Sequence, residues 1–150
     1  VVDNVTADRT QARAWVEAAA PEVGAGDAFV ACPDQLGPAL RRALDQEGLE
    51  AAPVLSYPDL GDGRLVDWYD YAERNDAADP AAVAAEVVER VPAGSRLWVA
   101  WNGGYRTFEG DCEAFLNAVS TVRGPFRTVV ADQGDTYFEH GALVVFEATP

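Results

Sequence analysis

The 150-residue sequence contains no lysine, isoleucine or methionine, and it has one histidine and two cysteines. Its eleven basic residues are therefore all arginine, against 25 acidic residues, and the formal net charge is −14. Such an acidic chain is a poor partner for nucleic acids and anionic lipids, whose phosphates must be neutralised by Lys and Arg. Without lysine it cannot form a Gly-Lys-Ser/Thr phosphate loop, and no apolar run approaches the ~20 residues of a membrane span.

The missing methionine also bears on where the sequence starts. Because the chain begins at Val1, it does not begin at a native translation start. A length of 150 residues suits one domain. The chain is therefore either processed or cut from a longer protein, and we favour the cut and interpret residues 1–150 as a single α/β domain of that protein.

Apolar residues follow an alternation of helices and strands. Ala12, Trp15, Val16 and Ala19 are spaced i, i+3, i+4, i+7, which predicts the first helix. Further helices are expected at 38–47, 80–91 and 111–123. Short apolar strands are expected at 28–32, 52–57, 96–101, 126–131 and 142–147. Residues 58–75 are less regular and predict a long loop with a short helical turn near its end.

Alternating strands and helices favour a parallel sheet that is covered on both faces. Right-handed crossovers then leave few topologies. The sequence predicts a three-layer α/β/α sandwich with a mainly parallel, Rossmann/flavodoxin-like sheet. The expected strand order is 2-1-3-4-5, with the last strand antiparallel at an edge.

A ligand site is expected where the strand order reverses, beyond the carboxyl ends of strands one and three. The candidate ligand-binding residues in the two loops there are Asp34, Gln35, Trp101, Asn102, Tyr105 and Arg106. Aromatic rings beside Asp, Asn and Arg suit a sugar, which offers both C–H faces and hydroxyl groups. The alternative is that the rings cover the sheet and the polar groups brace the loops.

The two cysteines fall at the same edge. Cys32 ends the first strand, and Cys112 begins the helix that follows the third strand. This placement permits a disulfide, although two buried reduced thiols also agree with the sequence. A bridge would tie together the loops of the crevice, which counts against a nucleotide cofactor there.

Catalytic and metal-binding patterns are weak. The single histidine, His140, precedes Gly141 and is interpreted as a turn residue. Ser56, the serine considered as a partner for it, does not lie in a Gly-x-Ser-x-Gly motif. One histidine and two distant cysteines do not form a zinc pattern, and the Asp/Gly-rich segment 59–63 lacks EF-hand spacing. We therefore expect no catalytic residue, no metal and no cofactor in this chain.

Three segments resemble a known family. They are Cys-Pro-Asp-Gln-Leu-Gly-Pro at 32–38, Asp-Tyr-Ala-Glu-Arg-Asn at 70–75, and Gly-Tyr-Arg-Thr-Phe at 104–108 with the following Cys-Glu at 112–113. The sequence is similar to the C-terminal region of polytopic actinobacterial membrane proteins of the family 39-type, mannosyltransferase-like glycosyltransferases. The similarity extends over residues 10–146, and its first segment is the most specific.

The resemblance implies an extracytoplasmic domain that follows the last membrane span of a cell-envelope enzyme and carries none of its catalytic residues. An oxidising compartment favours the Cys32–Cys112 disulfide. The implied partners are the membrane portion of the parent protein and a neutral glycan or lipid-linked sugar. A free-standing α/β enzyme or small-ligand binder, and a purely structural interaction module, remain as alternatives.

Overall fold

A sheet of five strands lies at the centre of the computed structural model, which describes residues 9–105 and 109–150. In chain order the elements are α1 (Ala12–Ala19), β1 (Ala28–Cys32), α2 (Gly37–Gln46), β2 (Val54–Ser56), α3 (Tyr71–Ala77), α4 (Pro80–Arg90), β3 (Leu97–Trp101), α5 (Asp111–Arg123), β4 (Arg127–Val130) and β5 (Ala142–Phe146). A 3-10 turn, Asp34–Leu36, joins β1 to α2. Each predicted helix and strand is present, and α3 is the helical turn expected near the end of the 58–75 loop.

The strand directions match the predicted class. β1 pairs in parallel with β2 and β3, and Val30 lies opposite Leu55 on one side and Val99 on the other. β5 runs antiparallel to both β3 and β4, so β4 shares the direction of the first three strands. The mixed α/β fold with a mainly parallel sheet and an antiparallel last strand is confirmed.

The order of the last two strands differs from the prediction. The observed order is β2-β1-β3-β5-β4, so β5 lies between β3 and β4 rather than at the edge. Burial explains the exchange, because Leu143, Val145 and their neighbours in β5 are fully buried, whereas Arg127 and Thr128 of β4 are exposed. An edge position tolerates the polar start of β4, and an inner position buries the wholly apolar β5.

Each face of the sheet packs against two helices, which gives the three predicted layers. Along β3, Leu97 and Val99 face α4 and α5, whereas Trp98 and Ala100 face α1 and α2. This alternation is the period of two expected for an inner strand. The predicted apolar stripe of α1 is buried on the second face, at Ala12, Trp15, Val16 and Ala19.

Candidate functional site

The carboxyl ends of β1 and β3 meet where the strand order reverses, and a disulfide spans this edge. Cys32 at the end of β1 is bonded to Cys112 in the first turn of α5, with a Cα–Cα distance of 5.7 Å. Both cysteines are fully buried, and the backbone N–H of Asn102 donates to the carbonyl oxygen of Cys32 at 3.0 Å. The predicted disulfide is confirmed, and it ties the end of β1 to α5 across the crevice.

The two predicted residues after β1 face the 58–75 segment. Asp34 and Gln35 are buried in the 3-10 turn. The Gln35 side-chain amide donates to the Tyr71 hydroxyl, and Arg74 donates to Asp34 Oδ2 at 3.3 Å. Arg74 also pairs with Asp59 at 2.7 Å. Through these contacts, Asp34 and Gln35 hold α3 and the loop before it against the end of β1.

Burial governs the chemistry of Asp34 as well. It raises the pKa of this carboxyl, and the hydrogen bond and positive charge of Arg74 oppose that shift only in part. The second carboxylate oxygen, Oδ1, and the Gln35 amide oxygen accept no hydrogen bond from a described residue, and both atoms are buried. Because no surface of these atoms is exposed, Asp34 and Gln35 do not present them to a ligand.

An open cavity of about 330 Å³ lies on the other side of the β3 loop. It is lined by Asn102, Gly104, Tyr105, Phe138 and His140. The Phe138 side chain is 89% exposed, so its ring presents apolar surface to solvent at this cavity. The cavity therefore combines aromatic surface with amide and imidazole groups.

The structure brings only some of the predicted site residues to this cavity. Asn102 and Tyr105 line it, whereas Asp34 and Gln35 do not. The Trp101 ring packs against the core face of α4 and α5, where its indole N–H is buried and donates to no described residue. Arg106 lies outside the described residues.

A hydrogen-bonded group fixes the imidazole at the cavity wall. His140 Nδ1 lies 2.5 Å from Asp132 Oδ1, and the Asn102 side-chain N–H donates to the His140 carbonyl oxygen at 2.8 Å. The Asn102 Oδ1 atom in turn accepts from the Gly104 N–H at 2.7 Å. Because an ionised carboxylate can only accept, the neutral imidazole carries its proton on Nδ1, and the Nε2 lone pair remains as an acceptor.

A buried glutamine holds the 131–141 connection that carries His140 and Phe138. Gln11 donates from Nε2 to the Ala131 carbonyl at 2.7 Å. Its Oε1 accepts from the N–H groups of Gln133 at 3.1 Å and Gly141 at 3.2 Å. Gln11 was not among the predicted site residues, because a single polar residue ahead of an apolar helix has no distinctive spacing.

Close backbone approach explains the glycine after His140. A Cβ atom on Gly141 would lie 2.4 Å from the carbonyl oxygen of Trp101, far inside contact distance. The Trp15 indole N–H donates to the Gly141 carbonyl at 3.0 Å. Gly141 therefore seats the start of β5 directly against the end of β3 and positions His140 beside the cavity.

Two titratable side chains near the cavity have shifted pKa values. Burial and the negative charge of Glu139 raise the pKa of Tyr105 to about 12, so its phenol stays protonated at neutral pH. Burial also raises the pKa of Glu139, and a hydrogen bond from the Thr10 hydroxyl opposes that shift. The Tyr105 hydroxyl is therefore a neutral group that can donate or accept a hydrogen bond at the cavity.

Within residues 9–105 and 109–150, no three His, Cys, Asp or Glu side chains are grouped so that they could hold a metal ion. In the same ranges, no helix has both the length and the apolar character that a membrane crossing requires. Comparison of the chain with protein-family models, curated proteins and solved structures finds no match.

Proposed function

We propose that this chain is a non-catalytic, extracytoplasmic accessory domain of a membrane glycosyltransferase-like protein. Its role is to position an acceptor glycan or a lipid-linked sugar beside the membrane portion of the parent protein. The observation that carries the proposal is the open cavity where Tyr105 and Phe138 lie beside Asn102 and His140. Aromatic surface next to amide, phenol and imidazole groups suits the C–H faces and hydroxyls of a neutral sugar.

The charge of the domain supports a neutral ligand. A net charge of −14 repels polyanions, although salt screens this repulsion beyond a Debye length of about 8 Å. At the cavity, the His140 Nε2 lone pair can accept from a sugar hydroxyl and the Tyr105 phenol can donate to one. A neutral glycan therefore satisfies these groups without bringing a further negative charge.

The disulfide supports the extracytoplasmic placement. Disulfides form and persist in oxidising compartments and are rare where thiols are kept reduced. The Cys32–Cys112 bridge is buried and joins two elements 80 residues apart. We place the domain at the extracytoplasmic face of the plasma membrane, as the resemblance implies.

Segments 32–38, 70–75 and 112–113, which carry part of the family resemblance, are joined at the carboxyl edge. Segment 32–38 is joined to 112–113 by the disulfide, and to 70–75 by the bonds from Gln35 to Tyr71 and from Arg74 to Asp34. The Gln35 amide N–H and Asp34 Oδ2 are thus engaged in internal contacts. This arrangement supports an accessory role over a catalytic one for that part of the edge.

The glycan proposal is tested by titrating the ¹⁵N-labelled domain with mannose oligosaccharides and following amide shifts by NMR. Shifts are expected at 102–105 and 138–141, with a Kd around millimolar because an open cavity buries few ligand atoms. Phe138→Ala should abolish them without unfolding the domain, because that ring is exposed. Tyr69→Ala, which removes a ring that is 99% exposed elsewhere, should leave them unchanged. An absence of shifts at tens of millimolar sugar would contradict the proposal.

A second candidate function, a free-standing α/β enzyme that uses the same edge, is favoured by the Asp132–His140 pair. A carboxylate that orients imidazole with Nε2 free is the arrangement of a general base. Ser56 lies at the end of β2 and does not line the cavity, so the structure supplies no serine nucleophile there. Turnover of ester, phosphate or glycoside substrates that disappears in His140→Ala would establish this alternative. We expect none above background.

A further inference from the structure

The cavity lined by Tyr105 and Phe138, here called the glycan cavity, is continued along the surface by a groove between α1 and α2. The groove has a volume of about 500 Å³. A smaller cavity of about 300 Å³ shares Thr10 and Ala39 with the groove, and it shares Phe138 with the glycan cavity. The three depressions therefore adjoin one another along one side of the domain.

The floor and the walls of the groove differ in character. Ala12, Ala39 and Ala43 supply small apolar side chains, and Arg13 and Arg42 supply the charged ones. No Asp or Glu is among the eight described residues that line it. Glu17 offsets the charge of Arg13 beside the groove, so among the described residues Arg42 supplies the uncompensated positive charge of its lining.

Among the described residues, arginines elsewhere on the surface form ion pairs with carboxylates, whereas some of those at the groove do not. Arg90 and Arg127 are examples of exposed arginines bonded to carboxylates. Arg42 in the groove, and Arg9 at the smaller cavity, form no ion pair with any residue that the structure describes. Arg13 pairs with Glu17 at 2.8 Å, in contact with solvent. Within residues 9–105 and 109–150, Arg42 and Arg9 thus lie on one continuous surface with no carboxylate partner.

We propose that this groove binds the carboxylate of a uronic acid residue in a glycan whose neutral end occupies the Tyr105–Phe138 cavity. The inference rests on the proposed function and specifies its ligand class as a glycan with few acidic residues. Arginine presents a planar fork of donors that matches a carboxylate. The alanine floor leaves room for the ring that carries it, and the −14 charge disfavours a ligand with many acidic groups.

The intervening surface is compatible with a neutral sugar. The smaller cavity between the two sites is lined by Glu139 as well as by Arg9 and Phe138. The carboxylate of Glu139 accepts from the Thr10 hydroxyl at 3.1 Å. At this middle position the charge of Glu139 offsets that of Arg9, whereas no carboxylate of a described residue lines the groove, so the uronic acid is assigned to the Arg13–Arg42 end.

The test compares a tetrasaccharide that carries one terminal glucuronic acid with its carboxyl-reduced, neutral counterpart. At low salt the acidic chain is expected to bind about tenfold more tightly, since each exposed ion pair contributes up to about fivefold. Arg42→Gln should reduce this affinity ratio about threefold, and the double variant Arg13→Gln/Arg42→Gln should bind both chains equally. Arg90→Gln makes the same change of charge at a paired arginine outside the groove and should retain the preference. Salt at about 0.5 M should abolish it in every variant.

The outcomes separate the inference from the function on which it rests. Equal binding of both chains, with shifts at 102–105 and 138–141, would overturn the uronic acid site and leave the glycan proposal standing. Binding of neither chain would overturn both. An acidic hexapeptide of alternating Ala and Glu serves as a further probe. If it binds as tightly as the acidic glycan and with the same dependence on Arg42, the ligand class is wrong.

Discussion

Replacing both Cys32 and Cys112 with alanine is expected to lower the free energy of unfolding by about 4 kcal/mol. The bridge closes a loop of 80 residues, and in the chain-entropy model a loop of that length restricts the unfolded chain by about this amount. Both side chains are fully buried, so the alanines also leave unfilled volume at the end of β1. For a chain of 150 residues the corresponding fall in Tm is about 10 °C.

Urea unfolding followed by tryptophan fluorescence measures the effect of the disulfide. Reductant should destabilise the natural chain towards the stability of the double-alanine variant, and it should leave that variant unchanged. This pair of measurements separates the loss of the covalent bond from the loss of sulfur packing. Equal unfolding midpoints for the oxidised natural chain and the double variant would contradict the expectation.

Gln11→Ala is expected to lower the free energy of unfolding by about 3 kcal/mol and to weaken the proposed glycan binding at the same time. The substitution leaves the Ala131 carbonyl and the N–H groups of Gln133 and Gly141 without their partner. The Gly141 N–H is buried and accounts for about 2 kcal/mol, and the two partly buried groups account for about 0.5 kcal/mol each. Because these three groups hold the 131–141 connection, Phe138 and His140 lose their fixed position beside the cavity.

Gln133→Ala is the matched control for Gln11→Ala. It makes the same chemical change in the same region, but the Gln133 side chain is exposed and the bond to Gln11 comes from its backbone N–H. Unfolding curves and mannose-oligosaccharide titrations of the two variants test the pair. If Gln11→Ala unfolds at the same urea concentration as Gln133→Ala, the role assigned to Gln11 is wrong.

Local sequence signals were sufficient for most of the fold. The Asp79-Pro80 pair predicts the start of α4, and the Asp79 Oδ1 atom accepts from the N–H groups of Ala81 and Ala82 at 3.0 and 3.2 Å. Such signals involve neighbouring residues and need no knowledge of the tertiary structure. The order of β4 and β5 depends instead on contacts between distant segments. The sequence did contain a signal for this order. β4 begins with the charged Arg127, whereas β5 is wholly apolar, and an inner strand buries both of its faces.

The candidate site was harder to predict because it depends on the direction of each side chain. Ala100 and Trp101 are neighbours in β3, and successive side chains point to opposite faces of a sheet. Trp101 therefore packs towards α4 and α5, while Asn102 and Tyr105 in the following loop line the cavity. The 131–141 connection supplied Phe138 and His140, although the sequence contains only a Phe-Glu-His run between two strands to suggest it.

The place of β5 in the sheet has a consequence for chain synthesis. β4 pairs with β5 and not with β3, so until residues 142–146 are available β4 has no partner strand and β3 is paired only with β1. Until then the apolar edge of β3 is unpaired, and such an edge can pair with strands of other chains. A chain that is still emerging from the ribosome therefore cannot complete this domain strand by strand. The sheet is completed in one late step, when β5 enters between two strands that are already synthesised.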